Sequence, residues 1–115
     1  MLMIANYNLE KNRVTDFQKW VKKNEKLYAE HAPKGWKYRG TYFYVMGFGQ
    51  FTAAEFWECK DYADLDTWRN HADPVWIRLN EEGMDFGTAE PPVGWLLREA
   101  GDTKITEAKK KPEKK

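Results

Sequence analysis

The sequence holds one cysteine, Cys59, so no internal disulfide can staple the chain, and a reducing cytoplasm is the natural compartment. Two histidines and that cysteine lie far apart, without the spacing a metal site needs, so no metal is expected. No apolar run approaches the roughly 20 residues that cross a bilayer. The opening Met1–Ala5 stretch is too short for the core of a signal peptide, and no membrane partner is expected. Excess charge of one sign is lacking too, since the formal net charge is +1. From Gly101 onward six Lys stand against Asp102, Glu107 and Glu113, which leaves 13 basic and 15 acidic residues before them. A near-neutral domain lacks the electrostatic footprint of a nucleic-acid binder. Residues 101–115, poor in large apolar side chains, read as a disordered Lys-rich tail. A glycine-rich phosphate loop after a strand, a nucleophile elbow and a Cys–His pair are all missing.

What is present is aromatic. Six Trp, six Tyr and six Phe in 115 residues, with 42% hydrophobic residues, suffice for one core and one domain, placed at residues 1–100. Residues 1–9 alternate as a strand, with Leu2, Ile4 and Asn6 on one face and Met3, Ala5 and Tyr7 on the other. Asn6's face is assigned to the helices. Thr15, with Gln18 three positions on, reads as the cap of a helix. Its inward stripe runs Phe17, Trp20, Val21, Asn24, Leu27, Tyr28 and His31, and Pro33 with Gly35 ends it. Residues 36–46 and 51–59 form a hairpin through the turn Gly47–Phe48–Gly49. Asp61 caps a second helix, which Pro74 must break and Gly83 stops. Pro91–Pro92 leads into an edge strand over 93–99. The order is βαββαβ, and right-handed crossovers place both helices on one face of a four-stranded antiparallel sheet. The expected fold class is an α+β, ferredoxin-like sandwich.

The strands carry apolar residues on both parities, so both sheet faces want cover. Phe43 and Val45 oppose Tyr42, Tyr44 and Met46, and Phe56 opposes Trp57. A large uncovered apolar face marks an interface, and a two-fold homodimer packed sheet to sheet is expected.

The stretch from Phe56–Trp57–Glu58 through Asp61 and Trp68–Arg69 to His71 resembles the dimeric α/β-barrel superfamily, in its antibiotic-biosynthesis-monooxygenase-like and NIPSNAP-like branches. The resemblance implies a ferredoxin-like homodimer. It spans cofactor-free oxygenases, haem-degrading enzymes and proteins without known activity. The haem-degrading members use a first-strand Asn, a Trp on the second long helix and a later His. Asn6 and Trp68 match the first two. Arg78 stands near where the His belongs, and His71 comes only three residues after Trp68. Haem is therefore an alternative, and no cofactor is the main expectation.

Candidate site residues follow from their chemistry. Glu55 is a mid-strand carboxylate among Ala53, Trp57 and Cys59; it has a raised pKa fit for proton transfer, or it pairs with Arg39 or Arg98. His71 carries an imidazole, the side chain suited to proton transfer near neutral pH, and is a candidate base, or it completes a helix end. Asn6 grips a ligand or bonds to loop backbone. Trp68, Trp76, Tyr42 and Tyr44 wall a planar ligand, or pack as core. The pocket is expected between sheet and second helix, beside Asn6, Trp68, His71 and Trp76. The functions in view are a small-molecule binder or cofactor-independent monooxygenase-like enzyme for an apolar or aromatic compound, and a non-catalytic dimeric module.

Overall fold

The computed structural model describes residues 1–45 and 51–100. The glycine turn at 47–49 and the Lys-rich tail lie outside these. Strand β1 (Leu2–Tyr7) leads through a 3₁₀ turn at Lys11–Arg13 into helix α1 (Val14–Glu30). Strands β2 (Lys37–Phe43) and β3 (Ala53–Glu58) follow, then helices α2 (Ala63–Arg69) and α3 (Pro74–Met84), and strand β4 (Val93–Leu97). The sheet runs β2-β3-β1-β4, wholly antiparallel, with β4 at an edge as its double proline requires. This is the expected α+β, ferredoxin-like arrangement. Among the described residues no helix is long and apolar enough to cross a membrane.

Local chemistry explains the helix ends. Helix α1 starts one residue before Thr15 and has no side-chain cap. The Arg13 amide already bonds to the Glu10 carbonyl in the 3₁₀ turn, so the chain enters the helix without Thr15. The break at Pro74 is real: α2 stops at Arg69, and Asp73 restarts the chain by accepting from the Val75 and Trp76 amides at 2.8 and 3.0 Å. Asp61 accepts from the Ala63 amide at 3.1 Å, at the head of α2. Helix α3 runs one residue past Gly83, whose missing Cβ makes room for Trp20; a Cβ there would lie 3.2 Å from the ring.

Register decides which face each side chain occupies. Met3, Ala5 and Tyr7 stand opposite Trp57, Glu55 and Ala53. These residues face the helices, where Trp57 joins Tyr28, Trp36, Trp76 and Leu79 in the main core. Leu2, Ile4 and Asn6 stand opposite Glu58, Phe56 and Ala54 on the far face. The expected placement of Asn6 under the helices is thus reversed. Both parities of β1 are apolar, so alternation alone does not choose between them.

Strand β2 adds a second reversal. A bulge between Tyr38 and Gly40 takes up one residue, and Gly40 holds it at φ +119. Tyr38 therefore faces the helices while Tyr42, of the same parity, faces away. The far face is an open apolar concavity of ≈ 620 Å³ floored by Leu2, Ala54 and Phe56, with Tyr42 and Tyr44 beside it. Tyr42, Trp95 and Leu97 on this side are 57%, 47% and 45% exposed.

Candidate functional site

Glu55 lies between sheet and helices, on the parity expected for it. The Tyr7 hydroxyl of β1 donates to its Oε2 at 2.6 Å. The Trp57 indole N–H, two residues along β3, donates to Oε1 at 2.9 Å, and the Tyr28 hydroxyl of α1 faces Oε1 at 3.1 Å. Tyr28 also faces Asn80 Oδ1 of α3 at 3.1 Å. Three elements thus converge on one carboxyl group, and α3 joins them through Tyr28.

The electrostatics are unusual. Among the described residues no cation pairs with Glu55. Arg39, one expected partner, points the other way and pairs with Glu58 at 2.9 Å, since both lie on the far face of the sheet. Burial pushes the Glu55 carboxyl above the ordinary glutamate value, while the hydrogen bonds from Tyr7, Trp57 and Tyr28 hold it back. Burial, and next the neighbouring Glu55 charge, push the hydroxyls of Tyr7 and Tyr28 well above the ordinary tyrosine value. Both phenols therefore stay protonated and serve as donors. A buried carboxylate that neutral donors hold can be ionised or protonated, which is what general acid–base work asks for.

One cavity adjoins this group, and a groove adjoins that cavity. The inner one, ≈ 30 Å³, is walled by Tyr7, Tyr28, Glu55, Leu79 and Asn80, and it has room for a water-sized group. An outer groove of ≈ 220 Å³ lies between the end of β1, the end of α3 and the Pro91–Pro92 segment. The two share the walls formed by Tyr7, Gly83 and Met84.

The other candidate residues do not gather here. Trp68 and Trp76 meet edge to face at 5.1 Å, and each also meets Trp57 edge to face. Trp76 stacks on Tyr28 at 4.5 Å. Rings fill the space where a pocket beside Trp68, His71 and Trp76 was expected. His71 Nε2 lies 2.6 Å from the His31 carbonyl, which only accepts, so that nitrogen carries the proton. The ring edges onto Trp76 at 5.6 Å and ties the α2 exit to the end of α1. Asn6, fully buried, donates to the Val93 carbonyl at 3.2 Å and accepts from the Tyr44 hydroxyl on the far face. Tyr42 packs edge-on against Phe56 there. Asn6 and Trp68 therefore lie on opposite faces of the sheet, and the Asn–Trp–His set of the haem-degrading proteins does not assemble. These residues do not fit a haem. Cys59 is buried in the core, as a small hydrophobe.

Tyr7, Tyr28 and Asn80 are site residues that pattern reading missed. Tyr28 looks like one more ring of the α1 stripe, and Tyr7 like an apolar strand position. The available signal was a polar atom on an inward stripe, as at Asn80 four residues after Trp76. Such an atom must find a partner.

No protein-family model and no curated protein matches the sequence. Solved structures do. A NIPSNAP domain protein from Burkholderia xenovorans superposes with a TM-score of 0.65 at 19% identity, covering 88% of this chain and 97% of that one. A NIPSNAP family protein of unknown function from Agrobacterium tumefaciens gives 0.63 at 18%, covering 84% of each chain. A candidate antibiotic biosynthesis monooxygenase from Nitrosomonas europaea gives 0.59 at 10%, covering 86% and 97%. This chain has the fold of the NIPSNAP and antibiotic-biosynthesis-monooxygenase-like structures, as the stretch from Trp57 to His71 implied.

Proposed function

We propose that this protein binds a small, largely apolar or aromatic molecule at the Glu55 cavity and acts on it by proton transfer without a cofactor. The observation that carries this reading is Glu55 itself: a partly buried carboxyl group, held by three neutral donors, paired with no cation among the described residues, and open to a cavity. An ionised Glu55 would take a proton from an activated C–H or O–H of the bound molecule. With dioxygen as co-reactant, the resulting electron-rich anion would follow the cofactor-independent monooxygenase-like course. The fold it shares with a candidate monooxygenase supports that course at the level of architecture only. Cytoplasmic residence and a homodimer joined through the open sheet face belong to the same proposal. The exposed apolar residues of that face support the dimer.

The test is a screen of small aromatic compounds for changes in tryptophan fluorescence, repeated on Glu55→Gln. Turnover or a spectral change that the substitution abolishes supports the reading. Binding and turnover unchanged in the variant overturn it.

A second reading, a non-catalytic dimeric module, has a specific observation in its favour. Asn6 and His71 each spend a hydrogen bond on backbone carbonyls, and the aromatic cluster between sheet and α2 is filled. Under that reading the same screen finds no ligand.

A further inference from the structure

The inner cavity is walled by groups most of whose side-chain donors are already committed. Tyr7 and Trp57 donate to Glu55. The Asn80 amide nitrogen donates to the Trp76 carbonyl at 2.8 Å, which fixes its Oδ1 toward Tyr28, and the Trp20 indole N–H donates to Glu82 at 3.0 Å. Tyr28 has one hydroxyl proton and two acceptors at 3.1 Å, Glu55 Oε1 and Asn80 Oδ1, so one of them always lacks it. On Glu55, Oε1 is approached by two donors and Oε2 by one, although each oxygen can accept two. The wall therefore offers unused acceptors on both Glu55 and Asn80, against one spare side-chain donor, the second N–H of the Asn80 amide.

Charge points the same way. Among the described residues lining the inner cavity and the outer groove there is no Lys, Arg or His, while Glu55 lines the first and Glu90 the second. A carboxylate largely withdrawn from water calls for a counter-charge or a proton, and the described residues place no cation beside it.

We propose that the Glu55 cavity is a site for a protonated primary amine with an apolar body. The inference rests on the reading of this cavity as the functional site, and it names the substrate class. The ammonium head brings three N–H donors and no acceptor. It matches the free position on Glu55 Oε2 and the Asn80 Oδ1 that Tyr28 leaves when it turns to Glu55. The inner cavity holds a group of that size, and the body runs into the groove beside Leu9, Met84 and Pro91. A carboxylate or phosphate head would bring negative charge beside Glu55, to a wall whose described residues hold no cation and one spare N–H.

The test holds the body constant and changes the head: hexylamine, 1-hexanol and hexanoate, each titrated into the full chain at pH 7. The readout is the indole N–H resonance of Trp57, which is hydrogen-bonded to Glu55. Hexylamine is expected to shift it with affinity about tenfold above 1-hexanol, the difference between a charge-assisted and a neutral hydrogen bond. Hexanoate is expected to leave it unmoved, and Glu55→Gln to erase the preference for the amine. Equal affinity for alcohol and amine, or a shift by hexanoate, overturns the amine assignment and leaves the cavity as a ligand site. No shift with any of the three overturns both. The head-group series on the unsubstituted chain decides the matter even where Glu55→Gln fails to fold.

Discussion

Tyr7 and Glu55, on adjacent strands of the sheet, are joined by a 2.6 Å hydrogen bond from the phenol to the carboxyl Oε2, on the side of the sheet that the helices cover. Glu55's folded-state pKa lies above its ordinary value, because burial disfavours the charge. The sign of the linkage follows. Between the ordinary value and the raised one the folded state keeps a proton that the unfolded state has lost, so stability falls as pH rises through that window and then levels off. Gln at this position cannot ionise. Denaturant unfolding at several pH values should show that Glu55→Gln gains stability relative to the unsubstituted chain as pH rises from below 4.5, until the gain levels off. A constant difference between the two would contradict the raised pKa.

Asn6 is the only fully buried polar residue among those described, and both ends of its amide are used, on Val93 and on Tyr44. Asn6→Ala leaves the Val93 carbonyl and the Tyr44 hydroxyl without their partner and empties a fully buried position. The expected loss is about 1–3 kcal/mol in urea unfolding. Since Asn6 lies across the sheet from the Glu55 cavity, hexylamine binding should survive the change.

The open sheet face supplies a test of the proposed dimer. Trp95 and Leu97 are each nearly half exposed there, so a charge at either position disturbs the single chain little. Leu97→Lys should convert the dimer to a species near 13.6 kDa by light scattering, with the circular dichroism unchanged. A monomer before substitution would remove the dimer.

How much of this was legible follows from particular residues. Glu55 could be placed on the helix side because β3 runs regularly and Ala53, Trp57 and Cys59 mark its inward parity. Asn6 could not, because Leu2 and Ile4 on its side are as apolar as Met3 and Ala5 on the other. Tyr42 and Tyr44 were displaced by a bulge at Arg39, an insertion that shifts every later side chain of the strand. The break at Pro74 was readable because proline acts through its own backbone. The convergence of Tyr28 and Asn80 was not, since it depends on how α1 and α3 pack against each other.

Asp73 ties the same corner together. Its carboxylate caps α3 and meets the His31 ring at 2.9 Å, and the hydrogen bond with His31 holds its pKa below the ordinary aspartate value. Its stabilising contribution is therefore present above the ordinary value and fades as pH falls through the lowered one. Asp73→Ala should lower Tm more than His31→Ala, because it removes two cap bonds as well as the ring contact. Equal losses in thermal scans at pH 7 would show that the cap contributes nothing.

The most direct measurement is a titration of the Glu55 carboxyl by carbon NMR, with Glu55→Gln assigning the signal. The expected midpoint lies above the ordinary glutamate value of 4.5, and hexylamine should move it down by stabilising the charged form. A midpoint at or below 4.5 without ligand would contradict a proton-transfer site at Glu55.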